Sequence, residues 1–177
     1  MIGLELAAAL LLAAAGLSKL RRPSPTRSAL TAAGLPGARI VRPALVNRGS
    51  GALELGLAAA ILLVGGRAAG LLVLLSYGAL ALVSARMVML ERGQDCGCFA
   101  KPTPISHWHT AVNAGFALVG LAVLVQPPAA PMAGGLPAGS AGVAVLLAAV
   151  LLTSLAYLVM TALPDLLSTA AQLEAAR

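Results

Sequence analysis

Five long apolar runs, with most of the charge confined to the connectors between them, constrain this chain more than any other feature. They cover 1–20, 50–66, 68–90, 108–125 and 141–163. About 20 apolar residues of helix cross a hydrocarbon core roughly 30 Å thick. Inside lipid every backbone N–H and C=O must be paired within the protein, which favours helices. Hydrophobic residues make up 59% of the 177 and charged residues only 10%, so a soluble globule would lack polar side chains to cover its surface. The expected fold is therefore all-α, a polytopic membrane bundle of about five transmembrane helices in contact with the lipid bilayer. The runs are mostly Ala, Leu, Val and Gly, and small residues let helix backbones approach closely in lipid. The net charge of +6 is read as orientation and contact with anionic headgroups rather than as nucleic-acid binding.

The first run carries Glu5 near its start and Lys19, Arg21 and Arg22 at its end. A signal peptide has its basic residues before the apolar stretch, so this run reads as an uncleaved first span. Residues 21–49 hold Pro23, Pro25, Pro36 and Pro43 with Arg27, Arg39, Arg42 and Arg48. They read as a connector with a short interfacial helix broken near 34–37. Gly65-Gly66-Arg67 leaves room only for a tight hairpin between the second and third runs. Residues 91–106 form a polar loop, and 126–140, uncharged and rich in Pro, Gly and Ala, read as a flexible connector. The fifth run ends at Pro164-Asp165 and a short polar tail. Residues 1–126 are expected to form one membrane domain, with linker, fifth helix and tail in 127–177. No internal repeat is visible.

The loop at 91–106 holds both cysteines, in Asp95-Cys96-Gly97-Cys98-Phe99-Ala100, and both histidines, His107 and His109, follow it closely. Gly97 gives the backbone freedom to turn the two thiols toward each other, although a disulfide between i and i+2 departs from relaxed geometry. Strained, exposed disulfides are the labile, catalytic kind. Arg92 and Lys101 favour a thiolate; Asp95 opposes it while offering a proton acceptor. The Cys-Gly-Cys loop thus suits passing electrons or disulfides better than stapling a fold. A quinone dissolved in the membrane is the candidate electron acceptor, although nothing in the chain is a quinone motif.

A different chemistry competes. Cys96, Cys98, His107 and His109 are two thiolates and two imidazoles, a set suited to zinc, copper(I) or mercury in a metal-binding or metal-transporting protein. Their spacing is not that of a zinc finger, and His107 and His109 would point to different faces of a helix. A third reading is an assembly factor or scaffold whose cysteines are dispensable.

Glu54 is the other residue that stands out. A carboxylate inside a span is costly and becomes a functional candidate by default; the plainer reading puts it at the interface near Arg48. Lys19 is its expected partner, locking the first two helices together at one membrane face. Glu5, Arg86 and Asp165 are expected at interfaces, and Trp108 as an aromatic anchor. By the positive-inside rule the connector at 21–49 is cytoplasmic, and counting spans then puts the cysteine loop on the same side. Disulfide chemistry favours the opposite, oxidising side.

Asp95-Cys96-Gly97-Cys98-Phe99 stands after an apolar hairpin and ahead of Pro104-Ile105-Ser106 and a helix with Asn113. With Gly16-Leu17-Ser18-Lys19-Leu20, Leu53-Glu54-Leu55-Gly56 and Arg92-Gly93, this pattern resembles the MauE family of methylamine-utilisation membrane proteins, relatives of the DoxX-like redox-associated group. The resemblance covers about 1–126, and Ala100 stands where the family usually has Gly. It implies a four-helix DoxX-like core plus a C-terminal helix, in a multi-pass protein of the bacterial plasma membrane with the loop outside the cytoplasm. It further implies that Cys96 and Cys98 are a redox pair, with Gly97 and Phe99 shaping the loop. In that family the implied work is disulfide formation in a client, the methylamine dehydrogenase small subunit, together with a thioredoxin-like partner.

Overall fold

A computed structural model of the chain describes residues 1–21, 43–90, 99, 105–127 and 136–175. The interfacial break expected near 34–37 and the residues Asp95, Cys96, Gly97 and Cys98 lie outside the described residues. Among those described there are six helices and no strand: α1 (Ile2–Arg21), α2 (Pro43–Val64), α3 (Gly66–Met89), α4 (His107–Val125), α5 (Ser140–Thr161) and α6 (Leu163–Ala175). The protein is an all-α polytopic bundle. Of the described helices, α1, α3, α4 and α5 are both long and apolar enough to cross a membrane. Helix α2, at 22 residues, has the length, about 33 Å at 1.5 Å per residue, but carries Asn47, Arg48 and Glu54.

The helices begin and end where local chemistry dictates. Helix α2 starts at Pro43, within the segment expected as connector, because proline is pre-organised for the first helical position and needs no N–H partner there. The one-residue break between α2 and α3 works because Gly65 and Gly66 both take positive φ, 64° and 56°. At the far end the expected polar tail is instead helix α6. Leu163, Leu166, Leu167 and Ala170 recur at helical spacing while Asp165, Gln172 and Glu174 supply polar positions. Leu166 and Leu167 are exposed.

Helix α1 is the centre of the bundle. Ala7, Ala8, Ala9, Leu11, Leu12 and Ala15 are buried in the main core, and α2, α3, α4 and α5 all touch it. Its alanines expose the backbone carbonyls to neighbours. The Tyr77 hydroxyl of α3 donates to Ala8 C=O at 2.7 Å, and Thr153 of α5 donates to Ala7 C=O at 3.2 Å. Close approach is secured by paired glycines. A Cβ on Gly16 would come within 2.6 Å of the Gly51 carbonyl oxygen, and one on Gly120 within 2.8 Å of that of Gly70. These pairs seat α1 on α2 and α3 on α4.

Contacts along the helices fix their directions. Gly70 meets Gly120 while Ser84 meets Thr110, so α3 and α4 are antiparallel. Helix α5 runs with α1, since Val145 lies beside Gly3 and Thr153 beside Ala7. The end of α1, the start of α2, the end of α3, the start of α4 and the end of α5 therefore share one face of the bundle. The basic connector and the cysteine loop both leave from that face, as span counting requires.

Candidate functional site

Charged and polar side chains gather inside the bundle near that face. Lys19 and Glu54 form a buried ion pair, the Lys19 ammonium donating to Glu54 Oε1. The glycine crossing makes the pairing possible: it brings α1 and α2 so close that a Cβ on Gly51 would lie 3.2 Å from the Lys19 Cβ, and the long Lys19 side chain reaches along α2 to Glu54. Breaking a buried ion pair leaves an uncompensated charge in the interior, so each of the two stabilises the other there. The expected partnership of Lys19 and Glu54 is present, and it sits in the interior rather than at an exposed helix end: the two residues are only 4% and 8% exposed.

Phe99 connects this interior to the cysteine loop. It is 4% exposed and packs edge-on against Tyr157 of α5, ring centroids 4.9 Å apart and planes at 80°. Below it lies a cavity of about 20 Å³ lined by Glu54, Tyr77 and Asn113 together with Leu11, Leu12, Ala15, Leu80, Met160 and Phe99 itself. Tyr77 stacks on Phe116 of α4, centroids 4.9 Å apart. The walls of the cavity come from five helices.

The histidines behave as their spacing requires. His107 is exposed and His109 is 1% exposed. The Ser106 N–H donates to His109 Nδ1 at 3.2 Å, and the Ser106 hydroxyl lies 3.0 Å from the same nitrogen. His109 is thereby a cap of α4, its Nδ1 already occupied as an acceptor. The two imidazoles do not converge, and among the described residues no group of three or more His, Cys, Asp or Glu is placed to hold a metal.

Tyr77 was not signalled by any motif; its only mark in the sequence is a phenol in the middle of an otherwise apolar run. Asn113, singled out by the family pattern, lies 1% exposed at the cavity. Glu5, expected at an interface, is fully buried among the helices, on the first turn of the central α1. Trp108 is 45% exposed at the start of α4, where an aromatic anchor belongs. Elsewhere, α4 and α5 enclose an apolar groove of about 280 Å³ with Leu4, Phe116 and Leu152 among its walls. Its walls offer no polar side chain, so it suits a hydrocarbon chain rather than a polar headgroup.

The family model described as methylamine utilisation protein MauE matches residues 1–126, and the chain belongs to that family. The matched stretch holds α1 to α4 and the cysteine loop; α5, which supplies Tyr157 and Met160 to the site, lies beyond it. No curated protein and no solved structure matches this chain.

Proposed function

We propose that this multi-pass MauE-family protein is a membrane thiol–disulfide component that exchanges disulfides with a thioredoxin-like partner and so supports the maturation of a client protein. In the methylamine pathway that names the family, the client is the methylamine dehydrogenase small subunit. Cys96 and Cys98 are the redox pair, Asp95 and Gly97 shape and polarise the loop, and Phe99 anchors it. Exchange conserves electrons: as the loop's S–S bond breaks, one forms between the partner's two sulfurs, and the partner's two protons end on Cys96 and Cys98. The reduced loop then gives two electrons and two protons to a membrane acceptor, a role that a quinone becoming quinol balances.

The observation that carries this reading is the burial of Phe99. Cys98 is the residue immediately before it, and consecutive Cα atoms are about 3.8 Å apart. The buried Phe99 ring shares its cavity with Glu54 and Asn113, and Cys98 is bonded directly to Phe99 in the chain. A loop serving only to join α3 and α4 has no need of such an anchor. Cys96→Ser and Cys98→Ser each abolish partner oxidation, and one of them accumulates a mixed disulfide with the partner. Normal client maturation in both variants overturns the redox role. An impermeant thiol reagent on intact reduced cells reads which side the loop faces.

A further inference from the structure

Helix α6 stands apart from the bundle, and its contacts among the described helices are chiefly with α5, its neighbour in the chain. It nevertheless has an apolar side. Leu163, Leu166, Leu167, Ala170 and Leu173 recur at helical spacing, and Leu166, Leu167 and Leu173 are 66%, 51% and 64% exposed. Asp165, Thr169 and Gln172 fall on the opposite side of the helix. A helix of 13 residues is marginal by itself in water, so its leucines need a cover.

Position along the chain says what that cover is. The 22 residues of α5 rise about 33 Å at 1.5 Å each, close to the roughly 30 Å of a hydrocarbon core. Helix α5 therefore ends near the boundary between hydrocarbon and headgroups, on the loop face, and α6 begins two residues later at Leu163. Pro164 has no N–H to give to the helix ladder, and its ring crowds the Met160 carbonyl, which lets α6 leave the axis of α5. Continued straight along that axis, α6 would hold its leucines in water. Laid along the surface, it sets them in lipid at the level where α5 leaves off, continuous with Leu151, Leu155 and Leu158 on the exposed side of α5.

We propose that α6 docks on the surface of the bilayer that α5 crosses, with its leucines in the lipid and Asp165, Thr169 and Gln172 toward water. Docking is by apolar insertion into the interface of uncharged lipid. Helix α6 has no Lys or Arg, and its own charges, Asp165 and Glu174, are negative, so anionic headgroups add no attraction. Glu174, in the last turn on the leucine side, keeps that end shallow. The bilayer needs no recruitment, because α5 holds α6 beside it. The device belongs to the part of the chain beyond the family match, which ends at residue 126.

The test uses the full chain in nanodiscs of zwitterionic phosphatidylcholine. In a Trp108→Phe background, which removes the only tryptophan, a single reporter is introduced by Leu167→Trp or by Gln172→Trp, both at exposed positions. Leu167→Trp should emit at shorter wavelength than Gln172→Trp, lose most of its quenching by acrylamide, and be quenched by lipids brominated close to the headgroup. Adding Leu166→Ser and Leu173→Ser to the Leu167→Trp chain should restore acrylamide quenching. The pattern should be unchanged in nanodiscs that hold one copy of the chain, and unchanged when anionic phosphatidylglycerol is mixed in. Equal acrylamide quenching at the two positions overturns the docking. Protection of Leu167→Trp that appears only in nanodiscs with two copies makes the cover a second chain and overturns it as well. Protection that needs phosphatidylglycerol overturns the apolar mode of binding.

Discussion

The α1–α2 and α3–α4 crossings use the same device and put it to different ends. Each brings two helices together at facing glycines, Gly16 with Gly51 and Gly70 with Gly120, where a Cβ would strike backbone. Beside the first crossing lies the Lys19–Glu54 ion pair. Beyond the second, toward the loop face, the helices are joined by neutral contacts: Thr110 donates to Ser84 at 3.1 Å, and Tyr77 stacks on Phe116. In lipid, packing of small residues is enough to associate helices. Charge adds a specific partner and a cost, and it appears only at the crossing that borders the cavity under Phe99.

Removing one charge should have the largest effect on that contrast. Glu54→Leu leaves Lys19 buried and unpaired, and thermal unfolding in lipid should show a loss of about 3–5 kcal/mol. Lys19→Met combined with Glu54→Leu should regain most of that stability without regaining partner oxidation. A double variant as unstable as Glu54→Leu alone would mean that the crossing depends on the pair for its fold. Crowding the glycines comes next. Gly51→Val and Gly120→Val should each cost about 1–3 kcal/mol from forced helix separation. Only Gly51→Val should also slow disulfide exchange, because it parts Lys19 from Glu54; equal slowing in both would erase the distinction between the crossings. The smallest change is Ser84→Ala, which removes one interhelical hydrogen bond worth about 0.6 kcal/mol and should leave exchange at the wild-type rate.

The sequence was most legible where lipid imposes the rule. The runs at 1–20, 68–90, 108–125 and 141–163 correspond to α1, α3, α4 and α5 with small shifts at their ends, since an apolar stretch of that length has few alternatives in a membrane. It was least legible where a helix lies partly outside that regime. Asn47 and Arg48 made the start of α2 look like connector, although Pro43 is a sound helix start. Helix α6 is short and amphipathic, and a polar tail and an interfacial helix have nearly the same composition. Within the site, Lys19 and Glu54 could be paired from sequence because opposite charges stand in or at the end of two apolar runs that flank the same connector. Tyr77 could not, because its role depends on Ala8 exposing a carbonyl. The contribution of α5 was equally hidden, since Tyr157 and Met160 come next to Phe99 only by packing.

By itself, then, the amino-acid sequence determined a membrane bundle, its principal spans, the unusual pair of thiols and the two charges that must find each other. Those are consequences of solvation: apolar length selects lipid, and a charge placed in lipid selects an opposite charge. Only the tertiary structure decided that α1 is the central helix, that Glu5 lies in the interior, that His109 caps α4, and that Phe99 is buried beside a cavity bordered by Glu54 and Asn113. The physical reason is that such features depend on which side chains from distant parts of the chain come within a few ångströms of each other. Helix spacing in sequence carries no record of that distance until the glycine crossings set it.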